Sequence, residues 1–513
     1  MVVGGGHNGL VAAAYLARAG LRVRLLERLE QVGGAAVSAL AFEGVDARLS
    51  RYSYLVSLLP RRIADDLGAP VQLGRRPYSS YTPDPGSGGR TGLLVGPHCH
   101  TFASVGAVGD EHAFAEFYRR CRLVTEQLWP TLLEPLRTRE AARRHVIDGG
   151  DSDAAHAWKA MVDIPIGQAI ADALGSDLVR GLVATDALIG TFAHADDGSL
   201  RQNVCFLYHL LGGGRGDWDV PIGGMGAVTA ALAGAAIRHG VEIVTGADVF
   251  AIEPDGEVRY RIAGEERRIR CRFVLAGVTP TVLATLLGDQ PPPLSQGSQV
   301  KVNLMLRRLP LLRDDTVSAA QAFGGTFHIN ETWTQLDAAY SRAASGHIPD
   351  PLPCEAYCHS LTDPSILSAR LRESGAHTMT VFGLHVPHSL LFGIDHDQIR
   401  NRLTDSVLAS LNSVLAQPVQ DVLMTDAAGR ACIETVTTHD LESRLSMTAG
   451  NIFHGALSWP FADDDDPLDT PARRWGVATA HERIVLCGSG CRRGGAVSGI
   501  GGHNAAMAVL ACR

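Results

Sequence analysis

A chain of 513 residues is too long for one compact core, so two closely associated domains are expected. With 46% hydrophobic and 19% charged residues the composition is that of a folded enzyme. No apolar run approaches the roughly 18 residues needed to cross a bilayer, so no integral membrane helix is expected. A net charge of -8 gives neither nucleic acid nor an anionic membrane surface a reason to bind.

Ten cysteines are scattered from Cys99 to Cys512 with no signal peptide ahead of the first motif, a pattern that predicts a reducing, cytoplasmic setting. The closest pairs, Cys354/Cys358 and Cys487/Cys491, match neither a Cys-x-x-Cys redox motif nor a four-cysteine zinc site, so no metal is expected. Only two of the 46 basic residues are lysine, Lys159 and Lys301; the rest are arginine.

The chain opens with an apolar strand, Met1 to Val3, followed by Gly4-Gly5-Gly6-His7-Asn8-Gly9, an apolar helical run from Leu10 to Ala19, and a second strand from Leu21 to Leu26 that stops at Glu27. Gly4, Gly6 and Gly9 fit Gly-x-Gly-x-x-Gly. The first glycine permits the tight turn, the second lets backbone approach a pyrophosphate, and the third lets helix pack on strand. A diphosphate would sit on the helix N-terminus beside His7 and Asn8, where free amides and the helix dipole favour an anion. Glu27 stands where a carboxylate can hold the adenosine ribose, with Arg28 next to it and a further glycine pair, Gly33-Gly34, before Ala35.

Helical spacing of Phe114, Phe117, Cys121, Val124 and Leu128 predicts a helix over 110–129 behind an Asp110 cap. Another helical stretch lies near 165–190. From Asp219 the chain offers a second strand-turn-helix-strand unit through Gly223-Gly224-Met225-Gly226 and Gly240 to Val244. Its glycines do not repeat the first fingerprint, so a separate nicotinamide site is not expected and NADH and NADPH should reduce the protein poorly. Near the C-terminus the apolar strand Ile484-Val485-Leu486 runs into Cys487-Gly488-Ser489-Gly490, and Gly494 to Gly502 lead into a helix carrying His503 and Asn504, a second anion-facing helix end.

These blocks resemble the phytoene-desaturase-like branch of the flavin amine oxidase superfamily, and within it the subgroup of pyridine nucleotide-disulfide oxidoreductase domain-containing proteins and their bacterial relatives. The resemblance is carried by the N-terminal turn with its second glycine pair, Tyr52 to Leu59, Gly223 to Gly226, Gly450-Asn451-Ile452-Phe453-His454-Gly455 and the C-terminal glycine turn. It implies an α/β fold: a glutathione-reductase-like Rossmann FAD-binding domain, discontinuous over 1–75, 215–290 and 425–513, with an α+β substrate domain over 76–214 and 291–424. It also implies FAD as cofactor. Val249 would pass beside the adenine, and Gly488, Gly490, Val497 and Asn504 would lie near the flavin. Two departures stand out. Arg492-Arg493 replaces the family's His-Pro and Ala496 replaces a glycine, so contacts at the flavin edge should differ; and no cysteine precedes Cys99, which removes disulfide-reductase chemistry.

Lys301 lies in Gly297-Ser298-Gln299-Val300-Lys301, on a period-two strand that sets Lys301, Asn303 and Met305 on one face and Val300, Val302, Leu304 and Leu306 on the other. The segment is similar to the monoamine oxidase strand whose lysine holds a water against the flavin's hydride-accepting nitrogen. Survival of a lysine in so arginine-rich a chain fits a site that needs a compact ammonium rather than a planar fork. Lys301, His454 and His503 are therefore the catalytic candidates, and His209, Tyr52 and Tyr54 are candidates for a substrate cavity. The expected activity is oxidase, dehydrogenase or desaturase chemistry on a small or lipophilic organic molecule, with dioxygen or a quinone as acceptor. A redox-neutral flavin isomerase and a flavin-bound assembly protein are the alternatives, and an oligomer is compatible with all three.

A first Rossmann strand commonly has about five residues, and Met1, Val2 and Val3 supply three. The expectation from the sequence is a reading frame that starts upstream of Met1. Intact mass of the protein from its native source checks this, and a mass beginning at Met1 refutes it.

Overall fold

Val2–Val3 is a strand of only two residues, yet both are buried and both pair in parallel on two sides, Val2 with Leu25 and Leu275, Val3 with Leu26 and Ala276. In the computed structural model, which describes residues 1–97 and 99–512, this strand is the centre of a wholly parallel five-stranded sheet. Its order is Ile484–Leu486, Val274–Ala276, Val2–Val3, Arg24–Leu26, Glu242–Val244. Valine, leucine, isoleucine and alanine dominate these strands because helices cover the sheet. Helices His7–Arg18, Met225–Arg238 and Ile500–Leu510 share one apolar core with it, in which Leu10, Val11 and Leu25 are wholly buried. Each such side chain contributes about 1.5–3 kcal/mol. An antiparallel meander, Asp248–Ile252, Glu257–Ile262 and Glu265–Arg270, closes a second small core with Val274 and Ile484.

The other domain is built on a seven-stranded sheet in the order Ile433–Val436, Ser298–Leu306, His377–Pro387, Cys354–Tyr357, Thr326–Ile329, Ser80–Pro83, Gly92–Val95. All pairings are antiparallel except that between Thr326–Ile329 and Ser80–Pro83. Period-two alternation divides its faces. Val300, Val302, Leu304, Phe327, Ile329, Cys354, Ala356, Met379 and Val381 form an apolar core on one side. Gln299, Lys301, Thr326, His328, Glu355, Tyr357 and Phe382 line a cavity on the other, roofed by helices Val108–Leu128, Asp177–Ala184 and Arg201–Leu211.

Two expectations are corrected here. Ile433–Val436 falls inside the segment 425–513 assigned to the nucleotide domain, but it pairs with Lys301–Leu304 and so belongs to the second sheet. The second strand-turn-helix-strand unit is present as Val220–Pro221, helix Met225–Arg238 and Glu242–Val244; its first strand pairs antiparallel with Leu73–Gly74 and its last joins the parallel sheet. Asp110 is inside the helix that begins at Val108, and its buried carboxylate accepts from the amides of Gly175 (2.8 Å) and Ser176 (2.6 Å) instead of capping its own helix.

The first and last helices meet backbone to backbone. A Cβ on Gly502 would lie 2.0 Å from the Asn8 carbonyl oxygen, whereas a Cβ on Gly109 would meet nothing within 4 Å. Gly502→Ala should therefore destabilise the protein by about 1–3 kcal/mol through overpacking, while Gly109→Ala should not. Thermal melts of the two variants beside the parent check this, and equal midpoints would refute it.

Candidate functional site

Glycine geometry shapes one end of the cavity. Gly4 has φ +99°, and a Cβ on Gly9 would lie 2.1 Å from the Gly4 carbonyl oxygen, so neither position accepts a larger residue without moving the turn. A Cβ on Gly6 meets nothing within 4 Å. Gly6 precedes helix His7–Arg18, and among the described residues no side chain caps the helix's first amides, which leaves them for an anion. Glu27 is held by two backbone donors, the Gly5 amide to Oε2 (2.7 Å) and the Leu29 amide to Oε1 (2.8 Å). Arg28, Ala247 and Val249 extend this wall, and the Arg28 guanidinium is anchored on the Arg444 carbonyl (3.1 Å) and Ser446 Oγ (3.3 Å). Gly33, Gly34 and Ala35 lead on along the cavity, the Gly33 amide donating to the Gly5 carbonyl at 2.8 Å.

The C-terminal turn forms the facing wall. Gly488, Ser489, Ala496 and Val497 line the cavity. Asn8 ties the two turns together: its Nδ2 donates to Ser489 Oγ (3.3 Å) and its Oδ1 accepts from the Gly502 amide (3.4 Å). His7 and His454 also line the cavity. Burial holds each imidazole down to about 4, hence neutral, and His7 Nε2 and His454 Nδ1 are buried with no partner among the described residues.

Three sequence candidates are not in the lining. The His503 ring packs edge-on against Tyr15, 5.0 Å between centroids, with Nδ1 against Asn504 Oδ1 (2.9 Å). Asn504 Nδ2 donates to the Leu132 carbonyl (3.2 Å), and Gly490 sits beneath Pro280 and the His454 carbonyl. On a helix buried on nearly every side, residues adjacent to the turn point into packing rather than toward the ligand space. The Arg492-Arg493 departure has the same outcome. Arg493 is buried, and its guanidinium donates to the carbonyls of Thr131 (3.0 Å) and Glu134 (2.7 Å), fastening the turn to the segment after helix Val108–Leu128, and to that of Trp475 (3.2 Å).

Lys301 does line the cavity, with only 5% of its surface exposed. Its Nζ donates to the carbonyls of Ser50 (2.6 Å) and Arg51 (2.9 Å) and stands 4.9 Å over the Tyr54 ring. Burial pushes this ammonium down to about 7, while Glu434 opposes the shift. Tyr54 continues the wall beside Tyr357 and Phe382, at 5.0 and 6.3 Å between centroids, and Tyr52 and His209 line the cavity.

A buried ionisable cluster was missed by the sequence reading. His328 and Glu355 are cross-strand partners, His328 Nδ1 lies 2.6 Å from Glu331 Oε2 and 3.7 Å from Glu355 Oε1, and the Tyr357 hydroxyl donates to Glu355 Oε2. Asp186 and the buried guanidinium of Arg76 stand nearby on the cavity wall. Burial pushes Asp186 up to about 7 and Glu355 up to about 8; it pushes Glu331 well above the carboxylate range with help from the other two charges, and His328 down to about 3. The available signal was a glutamate inside a short apolar strand, Cys354-Glu355-Ala356-Tyr357, where a charge needs a reason.

The family described as NAD(P)-binding Rossmann-like domain matches residues 2–59. A protein of Mycobacterium tuberculosis, itself described as uncharacterized, is 71% identical over 519 residues, covering 100% of this chain and 97% of that one. Pyridine nucleotide-disulfide oxidoreductase domain-containing protein 2 of Rattus norvegicus is 30% identical over 568 residues, covering 99% of this chain and 93% of the relative. This chain belongs to that family. The domain-2 proteins thus share the whole architecture and not the nucleotide-binding unit alone. Among solved structures, cyclohexylamine oxidase from Brevibacterium oxydans is similar with a TM-score of 0.52 at 14% identity, covering 99% of this chain and 97% of that one, which shows the amine-oxidase fold. The family name refers to disulfides, yet all ten cysteines here are free and burial pushes the thiols of Cys487 and Cys491 upward, away from the reactive thiolate.

Titration of Lys301 carries a stability signature. Its pKa is lower in the folded chain than in the unfolded one, so the cost of burying the charge is fully present below about pH 7 and is relieved as pH rises toward 10.5. Thermal midpoints measured from pH 7 to 10 should show Lys301→Met gaining most over the parent at pH 7, with the gain shrinking as pH rises. A pH-independent difference would refute the assignment.

Proposed function

We propose that the protein is an FAD-dependent oxidoreductase that removes a hydride from a C–H bond of a small or lipophilic organic molecule and delivers the electrons to dioxygen or a quinone. The observation that carries this reading is a single cavity of about 1200 Å³ that joins the glycine turn and Glu27 at one end to the chamber of Lys301, Tyr54 and Phe382 at the other. A dinucleotide laid on the turn reaches the substrate chamber without leaving it.

The residues present fit that cofactor. Gly4, Gly6, Gly9, His7 and Asn8 would cradle the diphosphate; Glu27, kept in place by two amides, would accept from the ribose hydroxyls; Arg28 and Val249 would flank the adenine. Gly33, Gly34, Ala35, Gly488 and Val497 would line the path of the ring system. The unpartnered nitrogens of His7 and His454 are buried polar atoms that a bound group would satisfy. FAD bound here would supply a hydride-accepting ring.

The chain's own part is positioning and electrostatics. Tyr54, Tyr357 and Phe382 exclude water from the reacting bond, and the Lys301 ammonium places a positive charge in a low-dielectric wall, where it stabilises developing negative charge. His454 is neutral, so it acts as a hydrogen-bonding group rather than as a charge.

The purified protein should show a flavin absorption spectrum and release FAD on heating. Gly9→Val, which drives a side chain into the Gly4 carbonyl, should abolish that loading. Recovery of FMN alone, or of NAD without flavin after FAD supplementation, would overturn the reading.

A further inference from the structure

We propose that His328, Glu331 and Glu355 form a site for one divalent first-row transition-metal ion in the wall of the cavity. The three side chains belong to different positions of the fold that converge. His328 and Glu355 face one another across adjacent antiparallel strands, and Glu331 follows a tight turn at Asn330, φ +58°, that folds it back onto His328. One donor atom from each lies within 4.8 Å of the other two. Donors held about 2.0–2.2 Å from a tetrahedral ion would be roughly 3.4 Å apart; the 3.7 Å from His328 Nδ1 to Glu355 Oε1 is near that spacing, and the 2.6 Å hydrogen bond between His328 Nδ1 and Glu331 Oε2 is the contact that an ion would replace.

Two further observations point to a ligand. Glu331 is 1% exposed, and its Oε1 has no hydrogen-bond partner among the described residues, a costly state for a buried carboxylate oxygen. The cluster also gathers two carboxylates where solvent cannot reach them. Glu331 and Glu355 are 1% and 3% exposed, and both reach toward His328 Nδ1, at 2.6 and 3.7 Å, a donor set that a cation can satisfy where solvent cannot. The Tyr357 hydroxyl holds Glu355 Oε2 and leaves Oε1 toward the imidazole. One imidazole with two carboxylates suits Zn²⁺, Mn²⁺ or Fe²⁺. Three protein donors leave a fourth position, and His328 and Glu355 line the cavity, so that position takes a water or an oxygen or nitrogen atom of a bound molecule. The inference stands on these residues whichever cofactor occupies the glycine turn.

Chelator-stripped protein, titrated calorimetrically with Zn²⁺ and with Mn²⁺ and then analysed by inductively coupled plasma mass spectrometry after desalting, tests the site. The expected result is one equivalent of at least one of the two ions per chain, with affinity at least tenfold weaker in both Glu331→Gln and Glu355→Gln. Circular dichroism and melting of the two variants report their folding independently. Less than a tenth of an equivalent in the parent, which shows that protons alone neutralise the cluster, or parental affinity in either folded variant, overturns the proposal.

Discussion

The two ends of the chain meet at Asn8, and the nucleotide end of the cavity depends on that contact. Gly502 brings the last helix against the first at a distance no side chain permits, and the Asn8 amide joins the N-terminal turn to Ser489 of the C-terminal turn. Because the central strand has only two residues, its position comes from what surrounds it: parallel partners on both sides and helices packed over them. Arg493 extends the same fastening to the segment after helix Val108–Leu128 through the carbonyls of Thr131 and Glu134. A bidentate, permanently charged guanidinium suits that role, since it satisfies several acceptors from one buried position.

The seven-stranded sheet works differently on its two faces. One is an ordinary apolar core. The other sets ionisable side chains at alternate positions, Lys301, His328, Glu355 and Tyr357, against a roof of helices. Desolvating so many titratable groups is unfavourable unless each is paired or neutral. The structure uses both routes. Lys301 is pinned on two carbonyls, His328 is kept neutral, and the carboxylates are raised into the neutral range. Such concentrations of shifted groups around a cavity are characteristic of functional sites.

Lys301 also shows how a residue can serve two ends. Its donors hold the Ser50–Arg51 backbone, which precedes Tyr52 and Tyr54 of the cavity wall, while its charge lies over the Tyr54 ring. An arginine fork would overreach this short span. That geometry accounts for one of the two lysines in a chain that otherwise uses arginine.

The sequence by itself determined whatever is written in contiguous residues. The Gly4-Gly6-Gly9 turn, the helix after it, Glu27 at the end of the second strand and the alternation around Lys301 are local, because glycine's freedom at φ > 0 and the periods of helix and strand are properties of neighbouring residues. The family's glycine blocks extended this to the overall fold. Only the tertiary structure decided which side chains meet. It sent His503 into packing against Tyr15, moved Ile433–Val436 to the second sheet, and brought Glu355 opposite His328. Those contacts join residues tens to hundreds of positions apart, and no local periodicity encodes a register that is fixed by the burial of whole faces.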